Sequence, residues 1–573
     1  MGYAGVSTTT TMVERTRSTE LMRILLSGEV SGEAPRQLTP RERFNRWMVN
    51  EGSRRLFVFT FVLVHIMLYA FGFMNYTMKD NMTGARKTYG YGYPIARSAA
   101  LVLHFDVACI LLPVCRTLIS LARQTPLNGI IPFDKNITFH KLVGYSLVFF
   151  TWVHTIAHLH NVAQLSAKGH GGFLGFIKLN FLTGPGWTGY VLTISIMAMF
   201  FTAIEKPRRA NYERFWNTHH LFIVFFIAWS IHGIYCMIPL DTIPTCFGNG
   251  SFYQWWFVGG FAYLGERVMR EIRGSHKTHI HKVIQHPSNV VEIQIKKEHT
   301  KTRAGQYIFL CCPEVSLWQY HPFTLTSAPE EDFISVHVRM VGNFTRQLGK
   351  VLGCEGLDKE DKKANRKTKL ISSSEFSGKG GSQLNTLLPR LYIDGPFGSA
   401  SEDVFKFETV MLVGAGIGVT PFASILKSIW YRMKNPSAGK TRLRKVYFFW
   451  VCRDFGSLEW FKSLLSAIES EDKSHAIEIH AYLTAKITPA QASNIALNSG
   501  DTDAITGLRT PTNFGRPNWD MVFRAVRKIH WPGECGVFFC GPKGLGAQLH
   551  IKCNMYTEAG DKGYSFVWGK ENF

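Results

Sequence analysis

Residues 140–158 read HKLVGYSLVFFTWVHTIAH, and residues 219–232 read HHLFIVFFIAWSIH. With its flanks, each run reaches the roughly 20 apolar residues that a helix needs to cross a bilayer. Imidazoles are costly in hydrocarbon and call for a functional reason. His140 and His154 are 14 residues apart, and His219 and His232 are 13 apart. At the α-helical rise both separations are about 20 Å, so two helices would present matched pairs at two depths. Imidazole is a common axial ligand of haem iron, and two such pairs suit two b-type haems stacked across the membrane. Rotation is less regular. Fourteen residues return a helix to within about 40° of its starting face, whereas 13 leave it about 140° away. The second helix is therefore expected to be tilted, kinked or locally non-α, or else to approach the haems from different sides. His220 competes with His219 on spacing alone. His154 and His158 also have zinc-like spacing, but a third ligand is not evident. Lone histidines such as His65 and His104 read as polar groups bridging helices.

Working outward, apolar runs at about 56–74, 98–121, 141–162, 187–204, 215–235 and 252–265 give six transmembrane helices. So many runs in so short a stretch exclude a globular core. Orientation follows from basic residues in short loops. Lys206, Arg208 and Arg209 lie between spans four and five, Arg267, Arg270 and Arg273 follow span six, and Arg116 and Arg123 follow span two, so these flanks are expected in the cytosol. The loop 236–251 carries no Lys or Arg and is expected outside, where Cys236 and Cys246 have the option of a disulfide. Lys79, Arg86 and Lys87 run mildly against the rule. Sequons at Asn75, Asn81 and Asn249 fall in loops read as external, while those at Asn136 and Asn343 fall on the cytosolic side.

The formal charge of +22 over 573 residues does not indicate nucleic acid, because much of it lies beside apolar runs or in a Lys-rich stretch near 359–369. The 11 cysteines form no CxxC pair, so a zinc ribbon is not expected. Residues 1–46 are polar, without a signal-type apolar core, and Val6 stands where a myristoylation signal wants Ser or Thr. Residues 1–50 are expected to be a disordered cytosolic extension.

From about 267 onward the chain reads as a soluble α/β protein. Short strands over 278–400 suggest a small β-barrel. Within them lie His321-Pro322-Phe323-Thr324-Leu325-Thr326-Ser327 and His337-Val338-Arg339-Met340-Val341-Gly342-Asn343-Phe344-Thr345. Aromatic rings, hydroxyls and an arginine together suit a flavin and its pyrophosphate. A strand at 409–413 then enters Gly414-Ala415-Gly416-Ile417-Gly418-Val419-Thr420-Pro421 and a helical run, a turn whose amides can approach phosphate at a helix N-terminus. Further strands, Lys445–Val451 and Val537–Cys540, the latter entering Gly541-Pro542, imply a doubly wound parallel sheet. Arg453 and Arg516 are candidates for the 2′-phosphate that separates NADPH from NADH. Residues 355–386 are charged and Ser/Gly-rich and read as a disordered insertion.

Taken together, the matched histidines, HPFTLTSAP, HVRMVG, DGPFG (394–398), GAGIGVTPFAS, CRD (452–454), GRPNW, CGP and the terminal ENF resemble the NADPH oxidase catalytic subunit of phagocyte flavocytochrome b type. They are most similar to fungal members with an extended N-terminus. The resemblance covers about 50–573. It implies a ferric-reductase-like bundle of six transmembrane helices (51–273), an FAD-binding β-barrel (274–400) and a ferredoxin-reductase-like α/β doubly wound NADPH domain (401–573). It implies His140 with His219 at an inner haem and His154 with His232 at an outer one, Phe225 between them, and Arg97 and His158 beside the place where oxygen becomes superoxide. FAD would be met by His321, Phe323, Thr324, His337, Arg339 and Thr345, with Pro322, Ser327 and Gly342 in the same motifs, and covered by Phe573. NADPH would lie at Gly414, Gly416, Gly418, Thr420, Pro421, Cys452, Arg453, Arg516, Cys540 and Gly541. Membrane lipid surrounds such a protein in the plasma membrane or an endomembrane such as the endoplasmic reticulum, with both termini cytosolic. A cytosolic activator, a Rac-type GTPase and a small membrane partner subunit are implied as partners. A transmembrane ferric reductase shares the architecture and is the nearest rival reading.

Overall fold

The computed structural model describes residues 20–27, 38–78, 83–169, 171–235, 252–287, 289–297, 300–354, 369–373, 388–435, 441–453, 459–472, 474–485, 502–503, 505–558 and 563–571. The chain divides into two compact units, residues 54–269, and residues 1–53 with 270–573.

The first unit is helical: α1 (Ser53–Met78), α2 (Gly92–Ile110), α3 (Asn136–Ala167), α4 (Gly184–Ala203), α5 (Tyr212–His219) and α6 (Phe222–His232), followed by α7 (Tyr253–Ser275), which runs past the unit's end. Among the described residues four stretches are long and apolar enough to cross a membrane: Pro40–Met78, Gly92–Val114, Phe133–Ala167 and Gly184–Ala203. The expected fifth span is two pieces. Helix α5 stops at His219, His220 and Leu221 form a turn with amides bonded three residues back (Leu221 N to Thr218 O, 3.1 Å), and α6 has only 11 residues. This break is a local departure from α geometry, one of the arrangements that a 13-residue histidine spacing allows. Helix α7 extends ten residues past the expected end at 265, and that extension carries Glu266, Arg267, Arg270, Glu271 and Arg273. A short helix at Gly172–Phe181 was not foreseen.

Alanines 96, 99 and 100 with Ser98, Val102 and Leu103 bury α2 against its neighbours, small residues allowing close backbone approach. Large apolar side chains such as Phe59, Ile66, Phe71, Phe149, Ile156, Ile194, Phe201 and Ile227 are exposed. In water they would be a liability, but they are what lipid requires.

The second unit holds three sheets. Strands β1 (Thr278–His286), β2 (Val290–Lys297), β3 (Tyr307–Cys311), β4 (His321–Thr324), β5 (Ile334–Arg339), β6 (Lys369–Ser373) and β7 (Tyr392–Phe397) form two of them, ordered β5-β2-β1-β6 and β4-β3-β7. They share a core built on Val283, Ile293, Ile308, Leu310, Val336 and Ile393, with α8 (Asn343–Val351) packed against it through Phe344 and Leu348. A bridge between Leu325 and Val336 links the two sheets.

The third sheet comprises β8 (Thr409–Ala415), β9 (Lys445–Cys452), β10 (Ile477–Leu483), β11 (Asn513–Phe514), β12 (Gly533–Cys540) and β13 (Tyr564–Lys570), all parallel in the order β11-β10-β9-β8-β12-β13. Helices α9 (Thr420–Lys434) and α10 (Glu459–Glu471) cover one face through Phe422, Ile425, Phe461 and Leu465. Helices α11 (Trp519–His530) and α12 (Lys543–Tyr556) cover the other through Val522, Phe523, Val526 and Leu549. The near-continuous apolar strands, buried on both faces, are the signature of a doubly wound sheet.

Two expectations need correction. Residues 1–50 are not disordered throughout: Glu20–Ser27 and Pro40–Trp47 are helices. Leu21 is fully buried in the core beside α11, and a Thr39/Glu42 capping box starts the second helix by satisfying its free amides. Residues 369–373 of the expected insertion form β6, paired antiparallel to β1. The remainder of 355–386, the Cys236/Cys246 loop, Asn81, Asn249 and Phe573 lie outside the described residues.

Candidate functional sites

In the membrane unit the histidines meet in pairs. The rings of His140 on α3 and His219 on α5 have centres 6.2 Å apart at 63°. Those of His154 on α3 and His232 on α6 are 6.4 Å apart at 70°. An imidazole nitrogen binds a transition metal at about 2 Å and its ring centre lies about 1 Å further back, so rings facing across one iron stand about 6 Å apart. His220 faces away: it is exposed and its Nδ1 meets Trp216 O at 2.8 Å.

The outward nitrogens fix the tautomers. His140 Nδ1 lies 2.9 Å from Ile110 O and His154 Nδ1 3.0 Å from Ala96 O. A carbonyl only accepts, so each Nδ1 carries the proton and Nε2 keeps its lone pair. Thr188 Oγ1 donates to Gly184 O at 2.6 Å and so accepts from His232 Nδ1 at 2.7 Å. Such outer hydrogen bonds orient metal-binding imidazoles. For His219 Nδ1 no partner is found among the described residues. Gly144, one turn from His140, has no atom within 4 Å of where a Cβ would stand, leaving open space beside the first pair. Phe225, 5% exposed, lies on α6 between the two histidine levels and stacks with Trp229 at 5.9 Å. His158 packs on His154 at 4.5 Å. Arg97 lies over the Tyr76 ring, donates to its hydroxyl at 3.2 Å, and is close enough to His154, His158 and His232 to act on each electrostatically.

In the antiparallel sheets His321 is half-buried and stacks on Phe344 at 4.0 Å, burial pulling its pKa down to about 4. Pro322 and Arg339 are exposed, Phe323 is half-buried and Thr324 buried. Thr345 accepts from Val341 N and Gly342 N and so caps α8. Ser327 is structural, its hydroxyl accepting from Ser335 N at 2.9 Å and its carbonyl from Ser424 Oγ at 2.6 Å.

His337 is buried, bonded through Nδ1 to Thr326 Oγ1 at 2.8 Å, and its ring lies 3.7 Å from Trp460 on α10. Its Nε2 lies 3.5 Å from Glu292 Oε2, which His286 Nε2 also approaches at 3.1 Å. Burial opposes the charge on Glu292, but His337, His286 and Gln294 outweigh it and pull the carboxyl down to about 2. His286, Glu292 and Trp460 carried no motif that spacing could reveal.

The parallel sheet brings its motifs to one edge. Gly414 is registered with Cys540 on one side and Trp450 on the other, so the Gly416–Thr420 turn, Cys452-Arg453 and Cys540-Gly541 converge at the C-terminal ends of β8, β9 and β12. Strand order reverses between β8 and β12, and such a switch point is where open α/β sheets bind ligands. Gly416 has φ +61 and Gly541 φ +156. At Gly418 a Cβ would stand 2.3 Å from Cys540 O. Thr420 and Pro421 open α9. Arg453 and Arg516 are both exposed, Arg516 following β11, which pairs with the end of β10. Burial pushes the Cys540 thiol up to about 12, so it packs as an apolar group rather than a thiolate. Glu571, two residues before Phe573, accepts from Ser401 N at 2.7 Å and fixes the chain's last described turn. Arg270 and Arg273, read above as an orientation signal, also clamp the buried Asp394 of the DGPFG motif, both at 3.0 Å.

These parts define a membrane-embedded oxidoreductase linked to flavin and nicotinamide. Family models agree: a ferric reductase like transmembrane component matches residues 106–229, an FAD-binding domain 275–401 and a ferric reductase NAD binding domain 407–554. A superoxide-generating NADPH oxidase heavy chain of Dictyostelium discoideum is 39% identical over 94% of this chain and 100% of its own length. NADPH oxidase 1 of Mus musculus is 36% identical over 94% and 98%, and NADPH oxidase 3 of Homo sapiens 35% over 92% and 99%. The chain belongs to the NADPH oxidase family.

Proposed function

We propose that this chain is a superoxide-generating NADPH oxidase that passes electrons from cytosolic NADPH through FAD and two b-type haems to molecular oxygen across the membrane. The observation that carries the reading is the pair of facing imidazole sets, 6.2 and 6.4 Å between ring centres, with His140 and His219 serving the inner iron and His154 and His232 the outer. FAD supplies the conversion of a two-electron hydride into single electrons, which is all a haem carries. His321, Phe323, Thr324, Arg339 and Thr345 would receive the flavin, and the terminal Phe573 would cover its ring. His337 would support that site from beneath, held by Glu292 and Trp460. NADPH would lie along the β8/β12 edge. Six spans, the short α5–α6 pair and α7 among them, and closure of the two antiparallel sheets as a barrel complete the reading. So do cytosolic termini, residence in the plasma membrane or an endomembrane, and control by a cytosolic activator, a Rac-type GTPase and a small membrane partner.

With His154 and His232 both holding the outer haem, oxygen would take its electron beside Arg97 and His158, where the guanidinium would stabilise the forming anion. Arg97→Ala is expected to lower superoxide output about a hundredfold or more, the order seen when one anion-stabilising donor is removed, while NADPH still reduces both haems. Unchanged oxygen turnover would end that role.

The cofactor preference is expected to rest on Arg453 and Arg516. Replacing either alone with Ala should cut the kcat/KM preference for NADPH over NADH by about 10–100-fold, since each charge-assisted contact is worth about 1.5–3 kcal/mol. Equal losses with both nucleotides would place the 2′-phosphate elsewhere. The whole reading is tested by purifying the chain in detergent, counting haems per flavin, and following NADPH-driven superoxide formation with and without chelated ferric iron. Preferential consumption of iron would make it a ferric reductase.

A further inference from the structure

Between the two histidine levels lies a titratable pair that the electron path does not use. Asp106 on α2 is fully buried, and His65 on α1 is 7% exposed. His65 Nε2 stands 2.9 Å from Asp106 Oδ1, and Ser146 on α3 donates to Asp106 Oδ2 at 2.6 Å. His65 Nδ1 lies 2.7 Å from Phe61 O. Phe105 and Phe150 wall the imidazole, with ring centres 5.4 and 6.1 Å away. Cys109, on Asp106's own helix, is a further titratable group close enough to interact with the carboxylate. Among the described residues no lysine or arginine pairs with Asp106.

The protons can be counted. A carbonyl only accepts, so His65 Nδ1 carries a hydrogen, and Ser146 supplies its own to Oδ2. One further proton lies between Nε2 and Oδ1. On nitrogen it makes an imidazolium and a carboxylate; on oxygen it makes a neutral imidazole and a carboxylic acid. Net charge is zero in both forms, but the charge distribution is not. An ionisable group buried in a membrane span calls for a role, and one hydrogen bond with two places for its proton offers a switch.

We propose that His65 and Asp106 form a closed proton relay that answers the charge on the inner iron, a proposal resting on the assignment of His140 and His219 as its ligands. Asp106 is four residues from Ile110, whose carbonyl holds His140, and ten from Ala96, whose carbonyl holds His154, or about 6 Å and about 15 Å along the helix. While the inner haem is oxidised, the proton would sit on His65 and leave Asp106 a carboxylate. On its reduction the Nε2–H bond would break and an Oδ1–H bond would form. The proton crosses one hydrogen bond, and nothing is taken from or given to solvent. The carboxylate favours ferric iron, so the pair holds the inner haem more reducing than the outer and keeps the transfer downhill.

The test is reduced-minus-oxidised infrared difference spectroscopy on the full, haem-loaded chain in detergent. A protonated-carboxyl signal should appear on reduction and be absent in Asp106→Asn. Spectroelectrochemistry of that variant should show the inner haem easier to reduce by about tenfold in its ferrous/ferric ratio, near 59 mV for one electron, with a smaller shift of the outer haem. His65→Gln, which keeps the carboxylate but removes its proton partner, should lose the infrared signal too. Wild-type potentials should owe no pH slope to this pair. No carboxyl signal in wild type, potentials unchanged in Asp106→Asn, or a pH slope that vanishes in that variant would each overturn the relay while leaving the ligand assignment intact. A chain that binds no haem would overturn the assignment itself.

Discussion

His154→Ala is expected to lower the haem content from two per chain to one and to reduce superoxide formation at least a hundredfold, while NADPH still bleaches the flavin. The imidazole's Nε2 has no substitute: His158, 4.5 Å away, sits a turn further along the helix, and His232 would be left with a single axial bond. The Ala96 carbonyl and Thr188 hydroxyl that hold the two rings cannot bind iron in their place. The remaining haem then stands about 20 Å short of the far level. The measurements are haem per polypeptide by absorbance, flavin bleaching under anaerobic NADPH, and superoxide-dependent dye reduction. Bleaching separates loss of the haem from collapse of the chain. A variant retaining two haems and full output would remove His154 from the path.

Gly418→Ala should act at the opposite end of the molecule's chemistry. The added methyl would meet Cys540 O at 2.3 Å, its carbonyl carbon at 2.7 Å and Gly541 N at 3.1 Å. All three are backbone atoms at the end of β12, so no side chain can swing away. Overpacking of this kind costs about 1–3 kcal/mol, and here it is relieved only by opening the β8/β12 crevice where the pyrophosphate is to lie. A fall in kcat/KM for NADPH of about 10–100-fold is expected, with haem content and dithionite reduction unchanged. Gly544→Ala, where no atom lies within 4 Å of the new methyl, is the matched control and should be silent. Equal activity of the two variants would move the nucleotide off this edge.

Periodicity and composition alone placed the apolar runs, and spacing alone paired the histidines by depth, because a helix's rise per residue is fixed whatever surrounds it. Spacing also left the second histidine helix to be tilted, kinked, locally non-α or approached from different sides, and the turn at His220-Leu221 is a local break of the α geometry. The glycine turn after β8 was legible for a similar reason, since tight backbone approach admits few residue types. Rotation about the helix axes was not legible from spacing, and in the folded chain it is the His219 ring that lies beside His140 while His220 is exposed. Nor were partners distant in sequence: Thr188 under His232, Glu292 and Trp460 around His337, Asp394 between Arg270 and Arg273, and His65 against Asp106. Each is an unremarkable residue on its own element. Its meaning comes from being buried beside a complementary donor or acceptor, and only tertiary packing decides which polar groups share a dry space.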